Sequence, residues 1–435
     1  MKTPAISWSR HKSLASRQAR RQNRHLAVSF VGGLLLVLAY FVGLFLHQIN
    51  LATTLFAQTV LWCAVPYLAA SHLLYRSIHM PAAEQRTLLL INTLLPYLLL
   101  VLVLALLQQR YSRGAVLMVA SLTTYWFWIS ERVIQRQNKL QLLCLNEQTK
   151  AELVKELGDQ AESLEAHLEL LEWTDHLQPM PSCDGLLVNS TDELTETQQQ
   201  QLAQIKQRHI RLYSVAAIGE SITGRKSPQE LSNPLWQPDG NPAYDTFKRL
   251  VDLAVVLITA PGWVLLGLLT AIAIKLDSKG PALFSQVRTG LHGQPFRIWK
   301  FRTMVPQSNA KAEFAQTNDK RITRLGHLLR KSRLDEIPQL VNVLLGQMSL
   351  IGPRPEQYSF VNDFAISIPS YPYRHLVRPG ITGWAQVTQG YAASEEETAV
   401  KLSYDLYYVS HYSLALDVLI VVKTITTMLT GRGAR

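Results

Sequence analysis

Cysteine is scarce in this 435-residue sequence: there are three, Cys63, Cys144 and Cys183. They lie far apart and form no C-x-x-C pair, which excludes a disulfide framework and a thiolate zinc site. The twelve histidines form no H-E-x-x-H, so any metal would need oxygen ligands. Charge is thin as well. Asp, Glu, Lys and Arg make up 17% of the chain, against about a quarter in a soluble domain. The little charge present is skewed, 43 basic against 32 acidic residues, a formal net charge of +11. These shortages exclude a disordered or collagen-like chain and argue against an ordinary soluble enzyme. They fit a membrane protein with a basic cytoplasmic side.

Long apolar runs are present. Residues 1–25 form a basic N-terminus (Lys2, Arg10, Lys12, Arg17, Arg20, Arg21, Arg24) with no acidic residue. The uncharged run 26–46 that follows is too long for a signal-peptide core and long enough to span about 30 Å of hydrocarbon. Further apolar stretches at 51–74, 87–107 and 114–130 predict a four-transmembrane-helix bundle over 26–130. The basic N-terminus places both ends of that bundle in the cytoplasm.

Residues 131–178 read as a long acidic helix with Leu140, Leu143, Leu153, Leu157, Leu164, Leu168 and Leu171 at helical spacing. The plainer reading of that stripe is one face packed on a partner element, and the sharper one is a homodimer seam. Pro179 and Pro181 end the helix. An apolar strand in CDGLLVNS, a polar helix near 191–209 and a strand in IRLYSVAAI then suggest a small α/β insert, with a proline-marked linker up to residue 240. Gly219 to Ser227 nearly matches a phosphate-binding loop, but one extra residue throws Lys226 out of register.

Residues 250–274 are again apolar, but Ala260-Pro261-Gly262 sits at the midpoint and Lys248, Arg249, Lys275 and Lys279 flank both ends. Pro261 removes a backbone hydrogen bond there. A kinked spanning helix and a hairpin that re-enters the same leaflet satisfy these residues equally.

Downstream, strand-like alternation in FRIWKFRTM puts Lys300 and Arg302 on one face, a cation pair suited to a diphosphate. Asp335 and Glu336 precede Pro338 and an apolar helix face. The helix N-terminus would keep Asp335 ionised beside a bound phosphoryl group. An ionised carboxylate in that position can attack phosphorus, and its neighbour can help bind Mg²⁺. Plain helix capping is the bland alternative. Pro353 and Pro355 stiffen Arg354, and Pro379 stiffens Arg378. The tail, 403–430, reads as an interfacial amphipathic helix, because Asp417 and Lys423 interrupt its apolar run.

At this point the sequence resembles the bacterial sugar transferases, the polyprenyl-phosphate hexose-1-phosphate transferases. The matching segments are KRLVDL with its proline-broken run, GPALFSQVRTG, FRIWKFRTM, RITRLGHLLRKSRLDEIPQLVNVLLGQMSLIGPRPE, VRPGITGWAQV and YDLYYVSHYSLALDV. They cover a catalytic domain over 244–435. The resemblance implies a membrane α/β protein of the bacterial inner membrane, with a C-terminal, mainly helical catalytic domain on the cytoplasmic face. It implies a re-entrant helix over 248–275 bent at Pro261. It also implies transfer of a hexose-1-phosphate from a UDP-sugar to undecaprenyl phosphate, with Asp335 as covalent nucleophile and Glu336 assisting at Mg²⁺ or in proton handling. Lys300, Arg302, Arg330, Arg354 and Arg378 would hold phosphates. Membrane lipid is then the expected surroundings, and nucleic acid is not needed to explain the basic excess. Gln347 stands where many members carry Asp, which puts any metal role of that position in doubt. The alternative is a catalytically degenerate membrane scaffold of a polysaccharide assembly complex. A metal-dependent glycosyltransferase is disfavoured, since the sequence holds no Asp-x-Asp.

Overall fold

A computed structural model of the chain describes residues 27–38, 40–41, 45, 52–77, 81, 84–137, 140–144, 147–158, 168–172, 183–189, 211–228, 240–305, 321–389 and 395–430. The basic N-terminus, the expected 191–209 helix and Leu164 lie outside the described residues. The chain divides into two compact units, Met1–Gly224 and Arg225–Arg435. The fold is mostly helical with small sheets.

In the first unit, α1 (Ala27–Leu38), α2 (Ala52–Trp62), α3 (Ala64–Ser77), α4 (Gln85–Leu106) and α5 (Arg113–Gln137) come from the apolar runs. Their shared core includes Val60, Cys63, Tyr97, Val116 and Val119. Polar side chains tie the helices together: the Tyr97 and Thr123 hydroxyls meet at 2.8 Å, Tyr67 donates to Ser29 O at 2.8 Å and Trp126 Nε1 to Val28 O at 3.1 Å. Leu90, Leu94, Leu98 and Leu102, four residues apart on α4, are exposed. An apolar outer face over a polar-stitched interior is the pattern of helices that face lipid. Among the described residues, α4 and α9 (Ala260–Asp277, in the second unit) are the two long and apolar enough to cross a membrane.

The expected acidic helix over 131–178 is not a helix throughout. After α5 come β1 (Leu140–Cys144), α6 (Glu147–Leu157), β2 (Leu168–Glu172), β3 (Gly185–Val188), β4 (Arg211–Ser214) and α7 (Val215–Thr223). The strands form one parallel sheet in the order β2-β1-β3-β4. LQLLC and LELLE are short apolar runs that fit either period, and sheet burial decides between them. Leu142, Leu143, Leu153 and Leu157 are fully buried, and most of them pack in one core with Val215 and Ile218. Of the expected stripe, Leu143, Leu153, Leu157 and Leu168 are buried inside this unit and Leu140 and Leu171 are half-buried there, so these leucines pack inward and not as a dimer seam. The last expected strand is half strand, half helix, because the Ser214 side chain caps α7 by accepting from Ala217 N at 3.0 Å. Gly219 lies within α7, and Gly224 closes it at φ +65°, so the near match to a phosphate loop is a helix C-terminus.

The second unit opens with α8 (Pro242–Ile258) and α9. The helix is interrupted at Thr259, and Pro261 stands in the first turn of α9, where its missing N–H costs nothing. Trp263 Nε1 donates back to Val256 O at 2.9 Å, bracing the interruption. Both helices rest on the same body: Val256 and Trp263 pack with Phe296, Val343 and Met348, and Ile274 packs with Phe301 and Leu329. β5 (Leu283–Thr289) and β6 (Pro295–Phe301) form an antiparallel ribbon. Then follow α10 (Arg324–Lys331), a 3₁₀ turn at Leu334–Glu336, α11 (Gln339–Leu344), β7 (Ser349–Ile351) and α12 (Tyr358–Ser367). β8 (Gly380–Thr382) pairs with β7 in parallel. The short α13 (Trp384–Thr388), α14 (Glu395–His411) and α15 (Leu414–Thr430) complete the unit. Leu406, Leu416, Leu419 and Ile420 are buried, while Ile425, Met428 and Leu429 at the end of α15 are exposed.

Candidate functional site

Asp335 and Glu336 share the 3₁₀ turn ahead of α11, entered through Arg333 at φ +54°. A left-handed arginine is uncommon and marks a backbone held by its surroundings. α11 has only six residues, so the neighbouring side chains, more than the helix dipole, set the electrostatics. The turn is fixed against β6 through Asn342 on α11. Its Nδ2 donates to Arg297 O at 2.7 Å and to Gln347 Oε1 at 2.7 Å, and its Oδ1 accepts from Trp299 N at 3.2 Å. This buried amide acts as a short extra strand beside β6.

Lys300 on β6 donates to Glu336 Oε1 at 2.8 Å, and Arg354 Nη2 donates to the same oxygen at 3.0 Å. Arg354 Nη1 donates to Gln386 Oε1 at 3.0 Å. Burial opposes ionisation of Glu336, but Arg354 and Lys300 outweigh it and hold the carboxyl far below the usual range. Burial lowers Lys300 from its ordinary value, with Glu336 working against that shift. Asp335 differs from its neighbour. Burial first, and the Glu336 charge second, push it up to about 6, opposed by Lys300, Arg354 and Arg330. The carboxylate expected to stay freely ionised is thus poised near neutrality. Among the described residues, no hydrogen bond engages it.

The other expected cations separate. Arg330 donates from Nε to Thr303 Oγ1 at 3.0 Å and lies close enough to act on Asp335. Arg302 does not join Lys300. β6 ends at Phe301, so alternation stops there, and Arg302 caps the chain after α9, donating to Ser278 O at 2.7 Å and Lys279 O at 2.9 Å. Arg378 sits beyond the far end of α11, donating from Nε to Gly346 O at 3.2 Å. Beside it, Arg249 donates to Val343 O and Leu344 O. Both guanidiniums satisfy carbonyls at a helix C-terminus, where cations are favoured. Gln347 is likewise engaged by Asn342 at that end.

The loop around Arg354 is held by its carbonyls. Gly380 N donates to Pro353 O at 2.9 Å, Arg374 Nη2 to Arg354 O at 3.0 Å, Arg288 Nη1 to Pro355 O at 3.1 Å and Thr289 N to Glu356 O at 3.0 Å. Gln386, Arg374, Glu356 and Asp405 were not singled out from the sequence. Gln386 lies in the quoted GWAQV segment and Asp405 in YDLYYV, but their partners are far away in the chain.

A cation fits the pair. Glu336 Oε1 is taken by Lys300 and Arg354, while its Oε2 is buried without a hydrogen-bond partner among the described residues. Two adjacent carboxylates with an unclaimed oxygen suit Mg²⁺, which uses one or two carboxylates and completes its shell with water and substrate phosphates. No group of three or more His, Cys, Asp or Glu that could hold a metal occurs among the described residues.

Comparison with known proteins decides the family. The family model described as bacterial sugar transferase matches residues 243–431. A Caulobacter vibrioides protein named UDP-glucose:undecaprenyl-phosphate glucose-1-phosphate transferase is 42% identical over 195 residues, 44% of this chain and 73% of that protein. The chain belongs to the bacterial sugar transferase family. Another member, from Aeromonas hydrophila, is named UDP-N-acetylgalactosamine-undecaprenyl-phosphate N-acetylgalactosaminephosphotransferase. It is 49% identical over 246 residues, 56% of this chain, and the chain spans 58% of that relative's length. The exopolysaccharide production protein PSS of Rhizobium leguminosarum bv. phaseoli is 39% identical over 199 residues, 44% of this chain and 96% of its own length. The family match contains the whole Asp335 site.

Proposed function

We propose that this family member transfers a sugar-1-phosphate from a UDP-sugar to undecaprenyl phosphate, the first step of an exopolysaccharide, capsule or O-antigen chain. The observation that carries this reading is the inequality of the two carboxylates. Glu336 Oε1 is taken by both Lys300 and Arg354, while the Asp335 carboxylate makes no hydrogen bond among the described residues and is pushed up to about 6 by burial and the Glu336 charge.

In the first half-reaction, an oxygen of ionised Asp335 attacks the sugar-linked phosphorus. The bond from that phosphorus to the oxygen bridging the two phosphates breaks, and UMP leaves with the electron pair. In the second, a phosphate oxygen of undecaprenyl phosphate attacks the acyl phosphate. Undecaprenyl-diphospho-sugar forms, and the Asp335 carboxylate is released. Arg354, Lys300 and Arg330 neutralise the phosphate charge that develops, as fixed cations do in phosphoryl transfer. Asp335 and Glu336 would hold Mg²⁺, which supplies Lewis-acid polarisation of the phosphoryl oxygens. Arg302 and Arg378 act as braces for the site.

The same reading places residues 244–435 as the catalytic domain at the cytoplasmic membrane face. The four apolar segments of 26–130 span the inner membrane, and residues 131–240 form a cytoplasmic insert and linker. In support of a re-entrant 248–275 segment, both arms of the Thr259 interruption pack on one body, whereas the ends of a straight span would stand about 30 Å apart.

The test is turnover of a UDP-sugar panel, including UDP-glucose and UDP-N-acetylgalactosamine, by membranes holding the full chain and undecaprenyl phosphate. UMP release with at least one sugar, abolished in Asp335→Asn, is expected. Absence of release with every sugar favours the scaffold, and turnover by Asp335→Asn sinks the covalent route.

A further inference from the structure

Arg374 touches no side chain assigned to the chemistry, yet it is among the most enclosed cations described in the second unit, with its side chain 2% exposed. Every nitrogen of its guanidinium is directed. Nε and Nη2 donate to Asp405 Oδ2 at 3.1 and 2.6 Å, Nη1 to the Tyr371 hydroxyl at 2.9 Å, and Nη2 also to Arg354 O at 3.0 Å. Asp405 is itself 2% exposed, so the pair is desolvated on both sides. A desolvated ion pair is a weak source of net stability, because burying two charges consumes most of what their attraction returns. A rigid donor fork aimed at one peptide oxygen is a strong source of geometry.

That oxygen belongs to the one residue in the site that joins two functions. The Arg354 side chain reaches Glu336 and Gln386, while its peptide lies between Pro353 and Pro355. Pro353 and Pro355 fix their own φ, and Pro355 restricts Arg354 to extended backbone. The bond from Arg374 to Arg354 O holds the 354–355 peptide plane in one orientation.

We propose that Arg374, oriented by Asp405 and Tyr371, is a positioning residue that sets the direction of the Arg354 guanidinium. This deepens the proposed function and rests on it: Arg354 is taken to hold the diphosphate of the UDP-sugar. The arrangement runs from α14 through the 3₁₀ segment Tyr371–Leu376 to the loop, and ends on Glu336.

The experiment uses the full chain in membranes and compares Arg354→Lys, Arg374→Lys, their double variant, Asp405→Asn and Tyr371→Phe, with KM for the UDP-sugar and kcat determined separately. Misplacing a group by about 1 Å costs up to roughly 100-fold in rate. Arg374→Lys is therefore expected to raise KM and lower kcat in the same proportion as Arg354→Lys, by at least about tenfold in kcat/KM. The double variant should be no worse than the poorer single one, since two residues acting as a unit are not additive. Asp405→Asn, which keeps the fork in place, should show a smaller loss with the same split.

A residue that only supports the fold would lower the number of active molecules. In that case kcat falls, KM stays and the losses multiply, and that result overturns the proposal. Should Arg374→Lys fail to accumulate, Asp405→Asn and Tyr371→Phe decide by the same split. Wild-type kinetics in Arg354→Lys would instead overturn the reading of the site itself, so the two failures are distinct.

Discussion

Lys300 donates to Glu336 at 2.8 Å and makes no bond to Asp335, the residue one position earlier in the same turn. The direct cation contacts thus go to Glu336 and not to Asp335, the proposed nucleophile. Asp335 is left with a value of about 6, raised by burial and by the charge of Glu336.

The sign of the pH effect follows. On the proposed route Asp335 attacks only when ionised, so UMP release should decline as pH falls through about 6. An ordinary aspartate would keep its charge to about pH 4. Lys300→Met removes a cation that favours the ionised form. It should lower the rate by roughly 100-fold and move the acidic limb to higher pH. A pH–rate profile of single turnovers reads both.

Asn342 carries three hydrogen bonds that clamp α11 onto β6 and the 346–348 turn. Asn342→Ala leaves Trp299 N and Arg297 O without that partner and should cost on the order of 3 kcal/mol. Gln347→Ala removes one of those bonds, costing about 1 kcal/mol, with turnover per folded molecule unchanged. Thermal unfolding beside active-site titration separates the two effects.

At β8, a Cβ on Gly380 would lie 2.1 Å from Gly352 N. Backbone meets backbone, with no flexible side chain to yield. Gly380→Ala should destabilise the second unit by about 3 kcal/mol and displace the Arg354 loop, because Gly380 N also donates to Pro353 O at 2.9 Å. Urea midpoints with an unchanged slope are the expected readout.

Glu356 is opposed by burial but held down to about 2 by Lys401, Arg374 and Arg288. Its folded value lies below the unfolded one near 4.3, so its contribution is complete above that pH and fades as pH falls toward 2. Glu356→Gln should remove on the order of 3 kcal/mol at neutral pH and flatten the stability curve between about pH 5 and 2. Unfolding measured at stepped pH checks it.

That Lys300 and Arg354 gather at the Asp335–Glu336 turn agrees with the sequence reading, which took Lys300 from strand alternation and Arg354 from its flanking prolines. The helix break beside Pro261 was legible from the proline itself. LQLLC and LELLE were not, since leucine-rich pentads satisfy helical and strand periods alike until a neighbouring strand is known. Arg302 was misplaced by a single residue: alternation along 296–302 does not reveal that the ladder closes at Phe301. Arg374 with Asp405 and Arg354 with Gln386 are separated by 31 and 32 positions. No spacing rule reaches that far, and only the folded chain brings them together.

Gly267, midway along α9, is open enough that a methyl group there would lie 3.8 Å from both Ile337 and Phe301. Ile337 is two residues past Asp335. The apolar helix therefore packs directly on the turn that carries Asp335. On the proposed placement of α9 at the membrane, its depth would also set the height of Asp335, within reach of an acceptor whose tail stays in the lipid.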